Sequence, residues 1–237
     1  MKSVIFYLLL IGAIIYSLTG YSQERELLKP DYISIQQIIN DPNSAFYYPQ
    51  LFKRYQTNDT TLSPREYRML YFGYFFQDKY SAIPRNVQED SLKILLAKDE
   101  LEPAEWQSVI RMDKKALVTR PFDLKKLNLL YVGYKMSGDS TNVRLYSDKI
   151  RKIAFAILSS GDGQSEETAL HVLQVSDEYA LINMLGYEYS GHQQLTGAEC
   201  DYLTLKDNTD NVKGLYFDVK QIFNSYKRIL DGSMSIK

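Results

Sequence analysis

Few residues in this chain have obvious chemical capacity. His171, His192 and Cys200 are all the histidine and cysteine it has. A metal centre needs ligands at short regular offsets, such as two histidines one helical turn apart. These three are not so spaced, and no metal ligand is assigned. A thiolate nucleophile needs a base beside it. No pattern joins Cys200 to His192, and a lone thiol usually packs as a small apolar group. Asp177 and Glu178 are adjacent at an expected helix start. Neighbours on a helix point apart, and acids there complement the helix dipole, so the pair reads as structural rather than as acid and base. Gly161-Asp162-Gly163 follows a helix instead of opening one, which is wrong for holding phosphate. There is no G-x-S-x-G turn. No catalytic residue and no cofactor follow from these patterns, and the reading leans away from an enzyme.

The elements that would position any site are organised around a repeated stretch. Ser63 to Tyr74 reads S-P-R-E-Y-R-M-L-Y-F-G-Y, and Asp123 to Tyr134 reads D-L-K-K-L-N-L-L-Y-V-G-Y. Ser63 suits a helix cap, Pro64 the first helical position, and Glu66 the return bond of a capping box. Asp123 can cap the second copy. Tyr67, Leu70, Tyr71 and Tyr74 fall on one helical face, and Leu127, Leu130, Tyr131 and Tyr134 repeat it. A glycine inside a helix costs about 1 kcal/mol relative to alanine. Gly73 and Gly133 therefore predict another backbone passing close by. The plain interpretation is two helices in one core. The sharper one is a tetratricopeptide-like repeat whose Tyr71, Tyr74, Tyr131 and Tyr134 line a peptide groove, although that repeat has a period of about 34.

In chain order, Met1 to Ser22 has the form of a secretory signal: Lys2, an apolar run from Val4 to Leu18, and small residues at Gly20 and Ser22 before Gln23. Cleavage is expected between Ser22 and Gln23. The alternative is a membrane anchor, disfavoured because the run is shorter than the roughly 20 residues that span a bilayer. Short helices are expected at Asp31 to Asn40 and from Pro49. A connector is expected at Tyr80 to Asn86, with helices from Asp90 or Ser91 and from Pro103. The longest amphipathic helix runs from Thr141 to Ser159 and ends at Gly161-Asp162-Gly163. Beyond Gln164 the pattern changes. Strands are expected at His171 to Val175, Tyr187 to Gln194, Cys200 to Lys206 and Leu215 to Val219, with a helix capped by Ser176 and a final helix from Gln221 to Leu230. The fold class is α+β, mainly α, with a small C-terminal antiparallel sheet. The expected division is a signal peptide at 1–22, a helical body at 23–163 and a small α+β subdomain at 164–237.

Composition limits the partners. The 237 residues carry a net charge of −1 and show no basic stripe, which argues against nucleic acid. A single cysteine excludes an internal disulfide. Twenty tyrosines suit a recognition surface or an ordinary core equally.

The mature chain resembles an uncharacterised family of secreted proteins common in Bacteroidetes, domain of unknown function 4919. The resemblance rests on Leu70-Tyr71-Phe72-Gly73, on Asp177-Glu178-Tyr179 with Leu185-Gly186, and on Gly214-Leu215-Tyr216-Phe217-Asp218-Val219, and spans roughly Asp31 to Phe223. It implies a secreted or envelope location and brings no catalytic residues. Asp59-Thr60-Thr61, Asp90-Ser91-Leu92 and Asp139-Ser140-Thr141 resemble the O-glycosylation acceptor of those bacteria, with Thr60, Ser91 and Ser140 as the modified residues. The same triplets also suit helix caps. Together these readings favour a secreted or periplasmic module that binds a protein or peptide in the envelope, with no stable membrane span after cleavage. The alternatives are an envelope-associated hydrolase with carboxylate chemistry and a structural protein without a ligand.

Overall fold

Helix starts are where the sequence is most explicit. The computed structural model describes residues 27–82 and 89–231, apart from the side chains of 89, 90 and 229. The expected signal peptide and its cleavage point, and part of the connector after Tyr80, lie outside the described residues. Asp31 accepts from the N–H groups of Ile33 and Ser34, each at 3.1 Å, and opens α1 (Tyr32–Asn40). Pro49 stands in the first turn of α2 (Tyr48–Gln56). Ser63 and Glu66 close a complete capping box on α3 (Pro64–Gly73): Glu66 N–H donates to Ser63 Oγ at 3.2 Å, and Ser63 N–H donates to Glu66 Oε2 at 2.7 Å. A 3-10 turn, Tyr74–Phe76, continues it. Then come α4 (Glu89–Leu96), α5 (Pro103–Ala116), α6 (Leu124–Met136) and α7 (Ser140–Leu158). Asp123 caps α6 through the Lys126 N–H at 3.1 Å.

The two copies of the repeated stretch are α3 and α6, and both pack against α7. Their shared apolar faces meet there. Leu70 and Leu130 have no exposed surface, and burying a leucine is worth about 1.5–3 kcal/mol. The repeated glycines answer to side chains rather than to another backbone. A Cβ on Gly73 would lie 3.0 Å from Ile39 Cδ1 and 3.1 Å from Tyr48 Cε2, and one on Gly133 would lie 2.8 Å from Ile110 Cγ1. Each copy is notched for a helix that precedes it in the chain. The close backbone approach occurs instead at Gly161, where a Cβ would meet the carbonyl oxygens of Thr168 at 2.2 Å and Ala169 at 2.4 Å.

The C-terminal part holds β1 (Leu170–His171), α8 (Val175–Met184), β2 (Tyr189–Leu195), β3 (Cys200–Leu205), β4 (Gly214–Asp218) and α9 (Lys220–Leu230). The sheet order is β1-β4-β3-β2. β2–β3 and β3–β4 are antiparallel as expected, but β1 runs parallel to β4, with Leu170 opposite Phe217 and His171 opposite Asp218. The sheet is therefore mixed. β1 also stops after two residues instead of running to Val175. The reason lies in the helical body. Leu173 N–H donates to the Tyr71 hydroxyl at 3.0 Å, and the Tyr80 hydroxyl donates to Leu173 O at 2.9 Å. With both main-chain groups taken by tyrosines, the strand cannot continue. α8 starts at Val175 with Gln174 in the cap position, so Ser176 lies inside the helix and does not cap it. One apolar cluster runs from Ile35 on α1 to Ile222 on α9, and a smaller one gathers Leu92, Trp106, Val109 and Val132. Among the described residues no helix is long and apolar enough to cross a membrane.

Candidate functional site

Two concave features and one enclosed polar cluster stand out. The cluster forms where α3, α6 and α8 meet. Tyr71 reaches from α3 and donates to Asp177 Oδ2 at 2.8 Å. Asp177 Oδ1 accepts from the Leu124 N–H at 3.0 Å. That N–H belongs to the first residue of α6, so an acid in the first turn of α8 serves the N-terminus of a different helix. The dipole argument for Asp177 thus applies across the fold. Burial, and then the nearby Asp123, push the Asp177 carboxyl up to about 8, while the Leu124 N–H and the Tyr71 hydroxyl act the other way. Glu178 is also fully buried, and neither of its oxygens has a hydrogen-bond partner. Burial first, then Asp201 and Asp177, hold its carboxyl far above the usual range, which favours its protonated form. The cluster is sealed from solvent. It links the helical part to the C-terminal part and presents no reactive group to a substrate.

Three of the four tyrosines expected at a groove lie in the core. Tyr71, Tyr74 and Tyr134 are buried, and Tyr131 is half-buried. Tyr74 donates to Thr119 O at 2.7 Å, and Tyr134 stacks on Tyr146 at 5.4 Å between ring centres. The stripe that repeats at helical spacing is turned into the core, with Tyr71 and Tyr74 bonded to Asp177 and Thr119 and Tyr134 packed on Tyr146 of α7. Thr60, Ser91 and Ser140 are all exposed, in a turn, in α4 and at the first position of α7. Cys200 is buried, and burial pushes its thiol up to about 11. It pairs with Asp218 at one end of β3, whereas His192 is exposed on β2 beside Gln193, which pairs with Leu203. The two are not brought together. His171 is buried 3.8 Å from Asp218 Oδ2, and its imidazole is lowered to about 4, chiefly by burial. Among the described residues no three His, Cys, Asp or Glu side chains gather as metal ligands.

The larger concave feature is a groove of about 760 Å³ between α1, α3 and the end of α7. Ile35, Ile38 and Met69 are among the residues lining it, with Lys29, Arg65 and Arg68. A stretch of main chain already lies at one end. Leu28 N–H donates to Ser159 O at 2.9 Å, and Arg68 donates both to Leu28 O and to Ser159 Oγ. Arg65 stands over the Phe46 ring at 4.9 Å. Among the described residues neither Lys29 nor Arg65 forms a salt bridge, whereas Asp31 is committed to capping α1. Sequence reasoning missed this groove because its walls come from three separated helices. The second feature is a smaller cleft of about 300 Å³ between α6 and α8.

The architecture defines the class first: a mainly helical α+β protein closed by a four-stranded mixed sheet. Residues 33–228 match the family described as Domain of unknown function (DUF4919), and the chain belongs to that family. No curated protein and no solved structure is significantly similar to it.

Proposed function

We propose that this protein is a secreted or periplasmic interaction module that binds an extended, acidic segment of a partner polypeptide in the groove between α1 and α3. The observation that carries this reading is the groove itself. It has an apolar floor at Ile35, Ile38 and Met69, and two cations, Lys29 and Arg65, that form no salt bridge among the described residues, with Asp31 as the one carboxylate of the lining. The main-chain bonds at Leu28 support an extended occupant, because the same wall already bonds main chain that lies outside any helix or strand. Unpaired cations at a rim favour an acidic partner and steer its approach. The test is site-specific photo-crosslinking in the native host. A photoreactive residue at Ile38 should give a discrete adduct that Arg65→Glu weakens about fivefold or more. The same residue at Val118, which is exposed far from the groove's lining, should give none. Equal labelling at both positions, or none at Ile38, would remove the groove from consideration.

The proposed location and modification share one measurement. Intact-mass spectrometry of the protein recovered from its host should find a chain beginning at Gln23 outside the cytoplasm. Added sugar mass is expected on Thr60, Ser91 and Ser140, whose exposure leaves each accessible to a transferase. A full-length chain in the membrane fraction would overturn cleavage, and an unmodified mass would overturn glycosylation.

A further inference from the structure

Helix α8 carries two buried acids that are held very differently. Asp177 is tied to the helical body through the Tyr71 hydroxyl and the Leu124 N–H. Glu178 has no exposed surface, and neither of its oxygens is bonded. The charged groups that act on it are both acids: Asp201 from β3 and Asp177 from its own helix. A carboxylate enclosed with no donor and no cation is strongly disfavoured, and such a group keeps its proton instead. The edge strand β2 lies against the same helix and against Asp201. The Tyr179 hydroxyl donates to Gln193 Oε1 at 2.7 Å, and Gln193 Nε2 donates to Asp201 Oδ2 at 2.7 Å. The Tyr179 ring also meets Tyr189 edge-on, with centres 5.3 Å apart. Six of the seven residues of β2 are exposed, so little burial holds the strand, and its contacts can break while the rest of the fold stays intact. The other ionisable groups around α8 lie apart from Glu178. His192 on β2 and Lys125 on α6 are exposed, while Asp123 and Arg120 act on Asp177.

We propose that the contact between α8 and β2 is a proton-controlled latch: it stays closed while Glu178 carries its proton, and β2 moves away from α8 when that proton is lost. Opening lets water reach Glu178, and its carboxyl returns toward the ordinary value of 4.5. Above that pH each opening releases one proton. The opening constant therefore rises by up to about tenfold per pH unit, until the closed carboxyl itself ionises. Acid closes the latch and base opens it. Asp177 takes no part, because its bonds run to α3 and α6 and survive a movement of β2.

The test is amide hydrogen exchange of the purified full chain over a range of pH above 4.5, with each rate corrected for the intrinsic pH dependence of exchange. Two amides report on β2. Thr196 N–H donates to Cys200 O at 2.8 Å, and Lys206 N–H donates to Glu188 O at 2.8 Å, so they join the two ends of the strand to β3. At both, the opening constant of the unaltered chain should climb by up to about tenfold per pH unit. Glu178→Gln should abolish that slope. Tyr179→Phe, which removes the hydroxyl that holds Gln193, should raise the opening constant about fivefold at every pH and keep the slope. The unaltered chain tests the latch even if the glutamine variant fails to fold, because amides inside α7 report global unfolding and the β2 reporters must open more readily than they do. A slope found only together with global unfolding would overturn the latch. Equal slopes in the unaltered chain and in Glu178→Gln would overturn it as well, by assigning the proton to another group.

Discussion

Replacing Glu178 by glutamine is expected to raise stability relative to the unaltered chain progressively as pH rises above about 4.5. The folded state holds the Glu178 carboxyl protonated because the side chain is fully buried, without a partner, and near Asp201 and Asp177. The unfolded chain releases that proton near its ordinary value of 4.5. Above that pH the folded state binds more protons than the unfolded state, so stability falls with rising pH. The slope is about 1.4 kcal/mol per pH unit for one group, and it ends where the folded-state carboxyl ionises. Glutamine does not titrate, and its stability lacks this slope. Its two N–H donors would be buried without partners, which lowers stability by a roughly constant amount of about 1–3 kcal/mol. The prediction is therefore the widening gap, which grows as pH rises above 4.5 until the folded-state carboxyl ionises. Urea unfolding of both proteins across that range measures it. Parallel stability curves would mean that Glu178 is ionised in the fold and has found a partner. Asp177 is raised for the same first reason and adds to the loss with pH, while His171, lowered to about 4, opposes it between about 4 and its ordinary 6.5. Both contributions are common to the two proteins and largely cancel in the comparison.

The second large effect separates the twin tyrosines. Tyr71→Phe should destabilise the protein by about 2–5 kcal/mol, and Tyr131→Phe by less than about 0.5 kcal/mol. The two residues occupy equivalent places in the repeated stretch, but only Tyr71 has its hydroxyl in a buried relay. It accepts from the Leu173 N–H at 3.0 Å and donates to Asp177 at 2.8 Å. Phenylalanine would leave both groups unpaired in a site with no access to water. Asp177 would keep only its bond from Leu124, and a double-mutant comparison with Asp177→Asn should show strong coupling. Chemical denaturation of the unaltered protein, the three single variants and the Tyr71→Phe/Asp177→Asn double variant settles the matter. Equal small losses for Tyr71→Phe and Tyr131→Phe would show that the relay contributes nothing.

Much of the helical part could be read directly. Ser63 with Pro64 and Glu66, and Asp123, announced their helices, and both caps form as their spacing implies. These signals are legible because cap and capped group lie within three residues. The apolar faces were equally plain, as was the change to strands after Gln164. What those faces would meet was not. The stripe of Tyr67, Leu70, Tyr71 and Tyr74 is compatible with a groove or a core, since tyrosine suits both. Only the packing of α7, α8 and the segment before α6 around the two copies turned it inward. The repeated glycines signalled closeness but not its cause, because side chains of Ile39, Tyr48 and Ile110 fill the same role as a backbone.

The sequence alone determined the family, the capped starts of α3 and α6, the periodic faces and the absence of a disulfide. Tertiary structure decided the direction of β1, the early end of that strand, the burial of Glu178 and the existence of both clefts. The division has a physical cause. Caps and periodicity are set by groups a few residues apart, whereas Tyr71 and Asp177 are separated by 106 residues. A carboxylate's charge depends on the dielectric and the neighbours it finally meets, and these exist only once the helices have packed.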